Sequence, residues 1–263
     1  MSIDQVYCKT LINPDATKNL VLLHGWGVNS AVWNPVIAEL SKAFNLYLVD
    51  FPGFGESLPL EEYTLENVTS EIMKVAPDSA IWCGWSLGGL IATYAAAVYP
   101  HKVSKLIQVC SPIKFVQDND WHGVERDVFE QFKHGIEVNK NKTLVRFMNI
   151  QAMGSQSARQ DVLLIKKQLH GTKLADECAL LAGLDLLNST DLRQQFSTLK
   201  QPCLSLFGQG DTLVPIATSK AMKQLLPGSE QFVFENSSHA PFISEPDVFC
   251  ATLFDFVFRK QAS

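Results

Sequence analysis

The sequence predicts an α/β protein, a mostly parallel central sheet flanked by helices and interrupted by a helical insertion. Three observations carry that prediction. Unbroken apolar runs of strand length alternate with helix-like segments along the first 112 residues. Such runs disappear between about 115 and 190, and they return after residue 200. Strands covered by helices on both faces are expected to be apolar throughout, whereas strands with one wet face alternate.

The elements follow in order. "NLVLLHGW" (19–26) is a buried strand running into a loop, and "NLYLVDFPGFGES" (45–57) is a strand that stops at Asp50 before a Pro/Gly loop. "AIWCGWS" (80–86) is a third strand. "GGLIATYAAAVYP" (88–100) is an Ala- and Leu-rich helix closed by Pro100, and "VSKLIQVCSP" (103–112) is a fourth strand. Helical patterns then occupy 123–136, 141–154, 157–171 and 175–189. "QPCLSLFGQGD" (201–211) and "EQFVFENSSH" (230–239) restore strand grammar, and "PDVFCATLFDFVFRK" (246–260) is a last helix with an aromatic face. The expected organisation is a core of 1–112 and 191–263 with a helical lid at 113–190.

Composition narrows the function class. Apolar residues make up 46% and charged residues 19% of 263, too apolar for a disordered chain. A net charge of −5 does not invite nucleic acid or an anionic membrane. The N-terminal "MSIDQVYCKTLINPDATKNL" lacks the basic start and apolar stretch of a secretory signal, so a cytoplasmic protein is expected. The six cysteines (Cys8, Cys83, Cys110, Cys178, Cys203 and Cys250) stand singly, several in strand-like runs, and read as reduced, buried thiols.

The stretch "CGWSLGG" (83–89) singles out Ser86, placed between a strand and a helix with Gly84 and Gly88 on either side. A serine that must turn sharply to lift its hydroxyl above a sheet needs neighbours without side chains. The hydroxyl needs a base and the base an orienting acid, which follow such an elbow in the order acid, then histidine. Asp211 in "FGQGD" and His239 in "ENSSH" both lie just past strands, where α/β sites form. Asp50 is expected to shape its own loop, His24 to brace the loop after the first strand, and His101, His122, His134 and His170 to lie at the surface. The backbone N–H of Leu87 and that of Trp26 in "HGWG" are candidates for holding an oxyanion. Residues 133–173 carry eight Lys or Arg against Glu137 and Asp161, a net of +6 in an acidic chain, which on these residues alone suits either a solvated helical lid or an acidic protein partner.

"HGWG", "DFPGFGES", "GWSLGG", "GQGD" and "SSHAPF", in that order, resemble the α/β-hydrolase superfamily. "GWSLGG", "CSPIKF", "RFMNIQAMG", "ARQD", "TDLRQ" and "HAPFISEP" resemble more closely the pimeloyl-acyl-carrier-protein methyl ester esterases of biotin synthesis. The resemblance implies a serine esterase, expected as a monomer, that needs no metal and no organic cofactor. It implies Ser86, Asp211 and His239 as the triad, and Trp26, Leu87, Phe147, Met148, Asn149, Ile150 and Gln151 as substrate contacts. Acyl carrier protein is the implied partner, met by Lys142, Arg146 and Arg159. Leu163 stands where that pattern has a basic residue, and Glu245 where it has a histidine. The residues taken alone leave open a general short-chain carboxylesterase, a carbon–carbon bond hydrolase or a slowly turning small-molecule receptor; a dehalogenase or epoxide hydrolase would need a carboxylate at position 86.

Overall fold

A computed structural model describes residues 5–259; Lys260, the last residue of the predicted C-terminal helix, lies outside them. Seven strands form one sheet in the order β1-β3-β2-β4-β5-β6-β7. They are β1 (Cys8–Leu11), β2 (Asn19–Leu23), β3 (Asn45–Val49), β4 (Ala80–Trp85), β5 (Val103–Val109), β6 (Cys203–Gly208) and β7 (Glu230–Phe234). Only β1 runs antiparallel, pairing Cys8 with Val49 and Leu11 with Leu46 at the edge. The other pairings are parallel. All six residues of β4 are buried, as a central strand covered on both faces requires.

Helices cover both faces. On one side α2 (Leu65–Val75), α3 (Leu87–Val98), α7 (Arg193–Ser197) and α8 (Ala217–Leu225) contribute Ile72, Leu90, Phe196 and Met222 to a common core. On the other side α1 (Asn34–Leu40), α9 (Pro241–Ser244) and α10 (Pro246–Phe258) bury Val36, Phe242, Phe249 and Leu253. Inside the sheet Gln108 on β5 is satisfied: it donates to Thr93 Oγ1 at 2.8 Å and accepts from Ser205 Oγ at 2.9 Å.

Between β5 and β6 the chain runs through α4 (Arg126–Ala152), α5 (Ala158–Leu169) and α6 (Glu177–Ser189). The long α4 joins two helical runs that the sequence shows separately. At their junction Asn139 leaves helical geometry (φ −159°, ψ 88°), and its side chain accepts the Lys142 N–H at 3.0 Å, restarting the helix as a cap would. Among the described residues no helix is long and apolar enough to cross a membrane. None of the six cysteines is paired; Cys83, Cys110, Cys203 and Cys250 are buried, whereas Cys178 is exposed and Cys8 only half-buried.

Candidate active site

β4 delivers Ser86 to the carboxyl end of the sheet, and α3 begins at the next residue. Ser86 is buried and adopts φ 55°, ψ −119°, a conformation that costs on the order of 1–3 kcal/mol outside glycine. Neighbouring bonds hold it there: its N–H donates to Val109 O at 3.0 Å, and its carbonyl accepts Ser111 Oγ at 2.7 Å. The flanking glycines are sterically required. A Cβ on Gly84 would lie 2.1 Å from Gly88 O, and one on Gly88 would lie 2.5 Å from Leu23 O.

Asp211 and His239 meet beyond the ends of β6 and β7. His239 Nδ1 donates to Asp211 Oδ2 at 2.7 Å, and both side chains are almost wholly buried. The other Asp211 oxygen accepts the Leu213 and Val214 N–H groups at 2.9 and 3.0 Å. That fixes the carboxylate and leaves one oxygen for the imidazole. Trp85, the residue before Ser86, donates its indole N–H to His239 O at 2.6 Å, and its ring lies 5.7 Å from the imidazole. His239 Nε2 is buried and makes no hydrogen bond. The structure therefore pairs Asp211 with His239 beside the elbow, while Nε2 makes no hydrogen bond to Ser86 Oγ.

Cys110 follows β5 with φ 45°, and its Sγ lies within 4.8 Å of ligand atoms of Asp211 and His239. Burial and then the Asp211 charge push this thiol well above its ordinary range. It stays protonated, packing as a weak donor and a poor metal ligand. His24 sits under the neighbouring loop, with Nδ1 donating to Gly25 O at 2.7 Å and Nε2 accepting the Phe51 N–H at 3.0 Å. Burial outweighs the nearby Asp50 charge and lowers its pKa from 6.5 to about 4, so it is a neutral brace. Asp50 shapes its own loop, accepting the Ser30 and Glu56 N–H groups at 2.8 and 3.0 Å. His101, His122, His134 and His170 are exposed.

Among the described residues neither the Trp26 nor the Leu87 N–H donates to another protein group, so both are free to hold an oxyanion. Ser86 opens onto a cavity of about 30 Å³ walled by Phe115, Phe129, Phe132, Phe147, Leu184 and Leu213, with no charged residue in its lining.

A sequence profile of the alpha/beta hydrolase fold family matches residues 18–246. The pimeloyl-[acyl-carrier protein] methyl ester esterase of Vibrio vulnificus is 45% identical over 238 residues, covering 90% of this chain and 93% of that protein. That of Vibrio cholerae is 42% identical over 242 residues, covering 92% and 95%. The chain belongs to this esterase family of the α/β hydrolases. Solved structures share the fold: an esterase from Exiguobacterium antarcticum (TM-score 0.85, 22% identity, 96% of this chain and 95% of that one) and an enol-lactonase from Burkholderia xenovorans (TM-score 0.84, 18% identity, 97% and 96%).

In this α/β hydrolase the stretch 147–151 is divided by the turn of α4. Phe147 lines the cavity beside Ser86. Met148 packs into the core on the α10 side of the sheet, Asn149 is exposed in the outer groove, and Ile150 is half-buried between that groove and the core. Gln151 is fully buried with both amide atoms unpartnered, while its carbonyl accepts the His239 N–H at 3.1 Å. The Trp26 indole donates to Leu180 O at 2.8 Å and packs edge-on against Phe147 at 4.8 Å, tying the "HGWG" loop to α6 and α4. Lys142, Arg146 and Arg159 line one exposed groove of about 670 Å³ between α4 and α5, together with Val145, Ile150 and Met153. These three cations form no ion pair among the described residues, whereas Lys133 is engaged by Asp185 and Glu130. Arg146 also lies 5.5 Å over the Phe132 ring that walls the cavity. The sequence does not single out that wall, because Phe115, Phe129, Phe132, Leu184 and Leu213 look like any other core residues until the chain is folded.

Proposed function

We propose that this α/β hydrolase is a serine esterase that cleaves the methyl ester of a pimeloyl chain carried on acyl carrier protein, as the names of its relatives suggest, releasing methanol and leaving the free carboxylate on the carrier. The observation that carries the reading is the buried His239–Asp211 pair at 2.7 Å, set against the residue that precedes a strained serine elbow. Ser86 Oγ attacks the ester carbonyl as His239 Nε2 takes its proton. The oxyanion is held by the Trp26 and Leu87 N–H groups. Collapse expels methanol, protonated by His239, and leaves an acyl-serine. A water, deprotonated by His239, attacks that carbonyl, and Ser86 departs with its proton restored. Asp211 keeps the imidazole in one tautomer and stabilises the imidazolium.

The cavity beside Ser86 suits a neutral ester better than an acid. Its apolar wall offers no partner to a carboxylate, which is costly to desolvate alone. The neutral ester is accepted and the charged product is driven out. At about 30 Å³ the cavity is narrow. In this reading residues 113–190 act as a lid on a core of 1–112 and 191–263. The Lys142–Arg146–Arg159 groove receives the acidic carrier, and the exposed Leu163 contributes no charge there. The protein works as a monomer in the cytoplasm. The test is to incubate it with the carrier-bound methyl ester and follow methanol release and the mass of the carrier. Wild type is expected to yield the acid and the Ser86→Ala variant nothing; an unchanged carrier, or turnover that survives Ser86→Ala, would refute the reading.

A further inference from the structure

Asp161 counts in the sequence as one of two acids in a basic segment. In the structure it is a core residue, 3% exposed in the first turn of α5, with no ion-pair partner among the described residues. A buried carboxylate without a cation must be hydrogen-bonded, and three hydroxyls do this. Ser155 Oγ and Ser244 Oγ donate to Oδ2 at 2.6 and 2.9 Å, and Ser157 Oγ donates to Oδ1 at 2.8 Å. Ser155 and Ser157 belong to the elbow between α4 and α5. Ser244 ends α9, which begins two residues after His239.

Further contacts join the same two segments. Gln156 N–H donates to Asn236 O at 3.0 Å, Ser238 Oγ donates to Met153 O at 2.8 Å, and His239 N–H donates to Gln151 O at 3.1 Å. The elbow also touches the acid's loop: a Cβ on Gly154 would lie 2.1 Å from Gly210 O, next to Asp211. On the histidine side Glu245 accepts the Asn236 N–H and the Ser237 hydroxyl, stiffening 236–245 from within. The elbow is thus built into the mounting of the base and the acid.

We propose that Asp161 is a positioning residue for His239: its carboxylate clasps the α4–α5 elbow to the loop behind the imidazole and holds that imidazole in register with Asp211. The role rests on His239 being the base of the proposed esterase. Asp161 touches neither substrate nor the reacting atoms, and it acts through Ser244 and the elbow. Loss of the clasp misplaces the base and leaves the apolar cavity, which no elbow residue lines, in place.

The experiment compares Asp161→Ala, Asp161→Asn and the milder Ser244→Ala with wild type on a p-nitrophenyl ester of a short acid. Thermal unfolding and the far-downfield imidazole N–H proton resonance of each protein are recorded alongside. Asp161→Ala is expected to lower kcat about 10- to 100-fold, as a base displaced by a fraction of an ångström would, with KM within about twofold. The downfield resonance should shift or broaden. Asp161→Asn, which keeps an acceptor for the hydroxyls, should recover part of kcat, and Ser244→Ala should lower kcat in the same sense while folding normally. Folded variants with wild-type kcat and an unmoved resonance, or a loss confined to KM, would overturn the clasp. If Asp161→Ala does not fold, Ser244→Ala decides alone by the same two readouts. Failure of the wild type itself to turn over the ester would instead count against the proposed esterase, and the resonance would still report on the clasp.

Discussion

The chemical centre and the outer groove are built from opposite materials. Ser86, Asp211 and His239 are 0–6% exposed, come from three sheet-end loops and are fixed by short hydrogen bonds. Lys142, Arg146 and Arg159 are exposed, stand on two helices and have no fixed counter-charge among the described residues. Chemistry needs groups held to fractions of an ångström in a dry site, whereas recognition of an acidic partner needs charge that reaches into solvent. The two regions meet at Phe147 and Phe132, which wall the cavity from the same helix that carries the groove. Rate and recognition should therefore be separable by mutation.

The most severe way to test that separation is Asp211→Asn. The amide keeps the shape but presents the wrong partner to Nδ1, and kcat is expected to fall by about 10⁴-fold. The fall should be equal for a carrier-bound and a small ester, measured as kcat/KM. A loss limited to one substrate would break the division between centre and groove.

Acid should damage the buried region first. His24 is neutral in the fold with a pKa of about 4 and takes up a proton near 6.5 when unfolded. The unfolded state therefore binds more protons in this window, and stability falls as pH drops from about 6.5 toward 4. At 1.36 kcal/mol per pKa unit the loss amounts to about 2.5 kcal/mol between pH 7.5 and 4.5. Urea denaturation at the two pH values should show it, and His24→Asn should remove that part of the slope. An identical slope in the variant would contradict the neutral-brace assignment.

Much of this molecule was legible beforehand, for identifiable reasons. Four of the seven strands, β2, β3, β4 and β6, are apolar nearly throughout because helices cover both faces, and such runs are visible without neighbours. β1 was not, since "CKTL" is four residues with exposed Lys9 and Thr10 at a sheet edge. The turn at Ser86 and the meeting of Asp211 with His239 were legible from their places just past strands. Asp161 did not, because a carboxylate satisfied by three serines looks the same in sequence as one in water. Nor did the left-handed turn at Cys110, which "VCSP" does not advertise. The resemblance implies 147–151 as one block of substrate contacts, but the helical turn brings only Phe147 of it to the cavity beside Ser86.

The most direct measurement for the whole account is kcat/KM of the Arg146→Glu, Arg159→Glu double variant on the carrier-bound methyl ester and on a small methyl ester at low salt. Reversing both charges removes steering and contact together, so the carrier-bound substrate should slow by about 10- to 100-fold, a penalty that added salt reduces. The small ester should stay within about twofold of wild type. Equal losses on the two substrates, or no loss on the carrier-bound one, would contradict a groove that recognises the carrier and a centre that works without it.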